Sequence, residues 1–374
     1  MKRIPSSIFT LLTSILLLLI PAVATTQDSW PIYRGNQNLT GTTAAAISKA
    51  PKVAWVSKMA SGTKSSPVIG NNSIYIGSED GTLYCLSLTG KPVWTFKSKF
   101  TIEGAPLFHG NSVYFGNYEG QVFALDAKTG KQRWMWQTEG QISGSPNIAF
   151  IGNKKKIIIG SYDYFLYCID DITGKPDWKY ETDNYVNCTP SVANNLTVFG
   201  GCDGKLHVVD LMKGTARHQI NSGTYIASST TLTGNQAFLG DYDGAFFCVD
   251  YITKKVIWSQ TGGGSYVGSP AVSSDKVVIG SENRTLYCFN KSDGRMLWKF
   301  KTLGKIAGSP VIAGNQTVFA SGDGRVYVLD LNTGKQTWSY DMGSPSSSTP
   351  AIIKDLMVIA TEDGHIFGFN ISEK

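Results

Sequence analysis

The chain has few histidines, four in 374 residues, and none pairs locally with another in the way a metal site or a catalytic triad on neighbouring residues would need. Long apolar runs are also scarce. The longest, Ile8 to Ile20, is shorter than the roughly 20 residues that a spanning helix requires, and nothing later is long and apolar enough to cross a bilayer. Blocks of like charge are nearly absent. Removing Lys2 and Arg3 from the 34 basic residues leaves 32 against 28 acidic ones, scattered among turn-like segments, which argues against a nucleic-acid partner. The single basic run, Lys154-Lys155-Lys156, reads as a solvated turn.

What is present begins with a leader. Lys2 and Arg3, the short apolar run, Pro21 and Ala22-Val23-Ala24 have the form of a secretory signal, assigned to residues 1-24. No cysteine follows the apolar run, since the first is Cys85, so a lipid anchor is not expected and the mature chain is expected to be soluble, periplasmic or secreted.

The rest of the chain repeats itself. CLSLTGKPVW ends at Trp94, and related stretches end at Trp134, Trp178, Trp258, Trp298 and Trp338, while VVDLMKGTARH puts His218 where the tryptophan should be. A small-residue step into proline follows each copy, at Pro67, Pro106, Pro146, Pro190, Pro270, Pro310 and Pro350, with Thr230 in the missing place. These eight anchors are spaced by about 40 residues, the period of solenoids and propellers. Each unit holds four short β-branched or aromatic runs separated by Asn-Asn, Asp-Gly or Thr-Gly turns, the pattern of four strands. Units this thin gain a core only by packing against neighbours, so the expected fold is all-β, an eight-bladed propeller of four-stranded blades. The last unit lacks a tryptophan-bearing fourth strand, whereas PKVAWVSK around Trp55 has no unit before it. The N-terminal strand is therefore expected to complete the eighth blade. The resulting division is an entry segment over 25-51 and one propeller over 52-374.

Six cysteines in an exported chain suggest disulfides, but four of them share one repeat position. Cys85, Cys168, Cys248 and Cys288 stand where sister units carry Ala124, Val208, Val328 and Gly368, so the position wants a small buried group. Equivalent positions in different blades lie too far apart for the roughly 4.4 to 6.8 Å Cα separation of a bridge. Cys188 and Cys202 differ. With Asn194-Asn195 as a two-residue turn, positions whose numbers sum to about 389 face each other, which brings these two within one place of pairing and keeps a disulfide open.

The run ALDAKTGKQRW, Ala124 to Trp134, resembles the repeat motif of the pyrroloquinoline quinone (PQQ) propeller family, and the resemblance extends over 52-374. WPIYRGNQNLTG, Trp30 to Gly41, is similar to the entry segment of exported members. The resemblance implies that Trp55, Trp94, Trp134, Trp178, Trp258, Trp298 and Trp338 are blade-to-blade clasps, each ring lying against the peptide beside a neighbouring motif glycine. Where the motif degrades, at His218 and at Lys254-Lys255, a looser sector is expected.

The same resemblance offers two functional classes. Its quinoprotein dehydrogenases hold PQQ and calcium in an axial chamber walled by insertions and an adjacent Cys-Cys disulfide; this chain has neither such insertions nor such a pair, so no cofactor is expected. Its non-catalytic class comprises compact scaffolds of outer-membrane assembly, which implies a monomer that binds another periplasmic or outer-membrane protein. A carbohydrate or small-molecule sensor is the further alternative. The acids Asp80, Glu119, Asp163, Asp203, Asp243, Asp323 and Asp363 recur at one repeat position and read as turn residues rather than metal ligands. A site is expected on the loops entering the innermost strands. There Lys64 and Glu103 are placed to pair, and Asn187 with Tyr185, Tyr225 and Tyr266 forms a candidate aromatic and amide rim.

Overall fold

The structure, a computed structural model, describes residues 28–372; the expected signal sequence lies outside the described residues. Eight sheets, each built on four antiparallel strands, form a closed ring. The first blade runs Val68–Gly70, Ser73–Gly77, Thr82–Ser87 and Pro92–Lys97, and the next six repeat this plan. The three inner strands of each blade are mostly buried, as in Val68–Gly70, Ile74–Ile76 and Val326–Leu329. The outermost strands alternate exposed and half-buried residues, as a sheet with one wet face must.

The eighth blade is completed from the other end of the chain. Lys52–Lys58 pairs antiparallel with His365–Asn370, which in turn pairs with Leu356–Ala360. The two chain ends thus share one sheet, and the closure gives the eighth blade the same four strands as the others.

At each seam a large ring crosses to the next blade. The indole N–H of Trp94 donates to the Ala127 carbonyl at 3.1 Å, Trp178 to Leu211 at 2.9 Å and Trp298 to Leu331 at 2.9 Å. The rings cover Gly130, Gly214 and Gly334, where an added Cβ would lie within 2.7 Å of the indole. Directly across its own blade each tryptophan faces the small repeat position: Cys85 opposite Trp94, Cys168 opposite Trp178 and Ala124 opposite Trp134. The position accepts small and β-branched groups, cysteine among them, and in the seventh blade Val328 stands opposite Trp338. Gly368 is the limiting case, with Trp55 2.1 Å from where its Cβ would stand.

Two seams depart from expectation. His218 is not a lost clasp: its Nε2 donates to the Tyr251 carbonyl at 2.7 Å, keeping the tryptophan's bond with a smaller ring. Trp338 is the reverse. Ile371, the acceptor that the repeat would assign to it, receives the N–H of Ser48, and Trp338 packs instead edge-on against Phe369 at 5.5 Å. That seam is closed by the entry segment, whose Ala45 and Ile47 are buried with residues of blades seven and eight.

At the degraded turn, Lys254 occupies the glycine position and holds φ at 66°. A side chain there costs about 1–2 kcal/mol relative to a right-handed conformation, part of which glycine returns as unfolded-state entropy. Lys254→Gly is expected to stabilise the protein by about 0.5–1 kcal/mol, read as a higher denaturation midpoint at unchanged slope. The Lys154-Lys155-Lys156 run is likewise not a solvated turn. It opens the strand Lys154–Gly160, and Lys156 is buried between Asp170 at 2.8 Å and Asp177 at 2.5 Å.

Candidate axial funnel and tyrosine rim

The innermost strands leave a narrow polar tube on the ring axis. Three features succeed one another along it, set by position relative to the proline anchors. The residues one place before the anchors form a belt of hydroxyls. The N–H of Ser145 donates to Thr189 Oγ1, Thr189 to Ser229 Oγ, Ser229 to Ser269 Oγ and Ser269 to Ser309 Oγ, at 2.8 to 3.1 Å. The chain continues through Thr349 to Ser66 and breaks at one point, where Ala105 lacks the hydroxyl that would receive the N–H of Ser66. Seven of the eight neighbouring blade pairs are thereby bonded through the belt at the axis.

Beyond the belt, the entry segment closes the tube. It circles the axis and meets the blades in order. The Pro31 carbonyl accepts from Phe108, Gln37 from Val192, Asn38 from Leu232, Thr40 from Val272 and Gly41 from Ile312. Thr42–Thr43 then pairs in parallel with the innermost strand of the seventh blade. Tyr33 reaches into the tube and shares a hydrogen bond with Ser309 Oγ at 2.8 Å. Arg34 is fully buried and donates to the Pro270 and Pro310 carbonyls. Burial pulls its guanidinium down to about 10, and the carbonyls satisfy its donors, as a buried charge requires. Gly41, at φ 62°, is the only kind of residue that fits, because a Cβ would meet Arg34 Nη2 at 2.2 Å. The sequence reading recognised this segment without locating it; its signal was a polar stretch, Arg-Gly-Asn-Gln-Asn, ahead of an otherwise repetitive chain.

The opposite end is the funnel mouth, a cavity of about 170 Å³ that Lys64, Glu103, Ser143 and Asn187 line on one side and Ala227, Val267 and Ala307 on the other. Lys64 and Glu103 both stand there, but no ion pair joins them within the 4.0 Å that defines one. Burial raises the Glu103 carboxyl, with Lys64 opposing and Glu79 adding to the shift. Asn187 donates to the Tyr225 hydroxyl at 3.1 Å.

The rim carries more tyrosines than were expected. Tyr185 stacks on Tyr162 at 4.7 Å between ring centroids and tilts against Tyr164 at 5.3 Å, and Tyr225 lies 5.4 Å from Tyr242. Tyr164, Tyr185 and Tyr242 each expose more than two-fifths of their surface. Backbone bonds hold the rings in place, from Cys202 N–H to the Tyr185 carbonyl and from Tyr242 N–H to the Tyr225 carbonyl. Tyr266 is not part of this rim. It is 2% exposed, packed between Phe246 and Tyr287, because its loop turns the ring inward over Gly240, where a Cβ would meet the tyrosine at 2.5 Å.

Cys188 and Cys202 are both free thiols, as are the other four. The hairpin register is the expected one, with Ser191 opposite Val198, but the ladder ends at Ser191. Upstream the chain leaves the ladder: the Cys202 N–H donates to the Tyr185 carbonyl and Cys188 Sγ donates to the Gly200 carbonyl, both at 3.1 Å. Burial pushes Cys188 up to about 12. Of the turn acids, Asp163 and Asp323 each accept an N–H within the turn, from Phe165 and Arg325 at 3.2 Å, and a tyrosine hydroxyl from the next strand, Tyr167 at 2.7 Å and Tyr327 at 2.8 Å.

Ring, seams and axial tube together define a propeller of the PQQ-repeat class. The chain matches the family model described as outer membrane protein assembly factor BamB over residues 40–260 and 249–373, and it belongs to that family. A structure of BamB from Moraxella catarrhalis is similar at 19% identity and a TM-score of 0.74, over 87% of this chain and 99% of that one. The computationally designed protein Ika8 is similar at 20% identity and 0.74, over 84% and 98%. A europium-containing methanol dehydrogenase is similar at 13% identity and 0.79, over 91% and 98%. At these identities the structures share the fold. No curated protein matches the chain.

Proposed function

We propose that the chain is an exported, non-catalytic scaffold that docks another protein of the periplasm or outer membrane, in the manner that the name BamB describes for its relatives. The observation that carries this reading is the tyrosine sector over blades three to five. Tyrosines give large contact area with few rotamers to freeze, and here they stand on loops fixed by a rigid ring, the arrangement that binding surfaces favour. Among the described residues no helix is long and apolar enough to cross a membrane.

The likeness to a methanol dehydrogenase raises the quinoprotein reading, and the residues do not fit its cofactor. The tube is narrowed by the Tyr33 hydroxyl and the serine and threonine belt, and Glu103 is the one carboxylate lining the cavity. Among the described residues no three of His, Cys, Asp and Glu converge as metal ligands, and no two cysteines are adjacent in the sequence.

The double change Tyr185→Ala with Tyr225→Ala tests the docking reading. With the partner recovered from a periplasmic fraction by the wild-type chain, the variant is expected to lose at least about tenfold in affinity, the scale of paired aromatic anchors, while its thermal midpoint moves by only a few degrees. Wild-type binding by the variant would place the contact elsewhere.

A further inference from the structure

We infer that the face of the ring closed by the entry segment docks on an anionic lipid bilayer through the outer turns of blades three to five. Strand direction alternates within a blade, so the turns between third and fourth strands all emerge at that face, and the loops of the tyrosine rim at the other. These turns share one conformation. Asp126 Oδ1 accepts from the Lys128 N–H, Asn290 from Ser292, Asp330 from Asn332 and Asn370 from Ser372, so in four blades the place after next is polar, as a solvated turn requires. Blades three, four and five carry Ile172, Met212 and Ile252 there. The turn is the same, with their N–H groups on Asp170, Asp210 and Asp250 at 3.0 to 3.2 Å. The three side chains stand 80%, 62% and 41% exposed. Single exposed apolar residues are ordinary, but three at one repeat position in consecutive blades form a pattern. Their backbone is fixed as well, because the carbonyl just before each tip accepts the seam ring of the preceding blade, Asp171 from Trp134, Leu211 from Trp178 and Tyr251 from His218.

Charge identifies the partner. Exposed Lys175, Lys213, Arg217, Lys254 and Lys255 flank the three tips in sequence, and Lys154 stands on the inner hairpin of blade three together with the exposed Phe150. None of these cations has an acid within ion-pair distance among the described residues. The acids of the sector are engaged already, Asp171 by Lys155, Asp170 and Asp177 by Lys156, and Asp210 and Asp250 by the N–H groups of their own turns. A protein groove would ask for one contiguous apolar patch, whereas these tips stand on separate blades with cations beside each. Equivalent turns of a closed ring lie in one plane. A flat surface with an anionic skin and an apolar interior meets both features: the tips enter the headgroup layer and the cations rest on phosphates. The proposal does not rest on the docking reading, and it leaves the tyrosine rim facing away from the lipid.

The chain over residues 25-374 is mixed with vesicles of phosphatidylcholine alone and of phosphatidylcholine with phosphatidylglycerol, and the bound fraction is read by flotation. Binding to the anionic vesicles at least about tenfold stronger than to the neutral ones is expected, and it falls as salt is added. The triple change Ile172→Ser, Met212→Ser and Ile252→Ser is expected to weaken that binding by about tenfold or more. Its thermal midpoint should not move, since blades six and eight carry serine at this place. Lys175→Gln with Lys213→Gln is expected to weaken binding by about tenfold and to flatten its salt dependence. Tyr185→Ala with Tyr225→Ala is expected to bind the vesicles as the wild type does. Absence of binding to anionic vesicles, equal binding to neutral ones, wild-type binding by the triple variant, or loss on changing the tyrosines overturns the proposal. A wild type that ignores vesicles while the triple variant loses a partner protein marks the arc as a protein contact, which overturns it too. Failure with vesicles leaves the tyrosine reading standing, since that is tested with the recovered partner.

Discussion

A chain lacking residues 25–60 is expected to aggregate or remain unfolded. The deletion removes Lys52–Lys58, leaving His365–Asn370 as an unpaired edge in the heart of the eighth blade. It also removes the segment whose carbonyls accept from the second, fourth, fifth, sixth and seventh blades in turn, and with it the buried Trp30 and Arg34. The belt of hydroxyls has its gap between Ser66 and Ala105, where Trp30 and Pro31 bond to Ile69 and Phe108, and Ala45 and Ile47 pack at the seam of blades seven and eight, so the deletion weakens the axis and one seam together. Size-exclusion chromatography and circular dichroism of the refolded truncation decide the matter: a soluble monomer with a cooperative thermal transition would show that the ring closes without its entry segment.

Trp134→Ala is expected to cost about 3–5 kcal/mol, the range of large aromatic truncations. The indole covers Gly174, donates to the Asp171 carbonyl at 2.9 Å and lies 5.9 Å from the Tyr114 ring, so its loss opens a cavity and strips an acceptor at a blade seam. His218→Ala removes the same bond with a smaller ring and is expected to cost about 1–2 kcal/mol, the share of a hydrogen bond and modest burial. Denaturant unfolding of the two variants beside the wild type measures the difference. Equal losses would mean that the seam energy lies in the bond rather than in the buried ring.

Much of the rim was present in the repeat and went unread. Tyr118, Tyr162 and Tyr242 share a repeat position with Cys202, just before the turn acid, and aligning the units there shows an aromatic sector beside the acids Glu79, Glu282 and Glu362. Tyr185 and Tyr225 were legible because they precede the anchors by a constant distance. Tyr266 failed because its loop, GGGSY, is glycine-rich and folds back, which depends on the space over Gly240. The pairing of Cys188 with Cys202 failed where the ladder stops, since hairpin register says nothing about a chain that has left the sheet.

Repetition alone established the number of blades, their four strands, the closure through Trp55 and a repeat position that wants a small buried group. Those are consequences of local periodicity and of a unit too thin to bury its own faces, and both can be counted in one dimension. The path of the entry segment, the charge of Arg34 held among carbonyls and the rescue of the Trp338 seam emerged only on closing the ring. Each joins residues from blades far apart in the chain, and their contacts depend on the radius of the closed tube, a quantity that no single repeat contains.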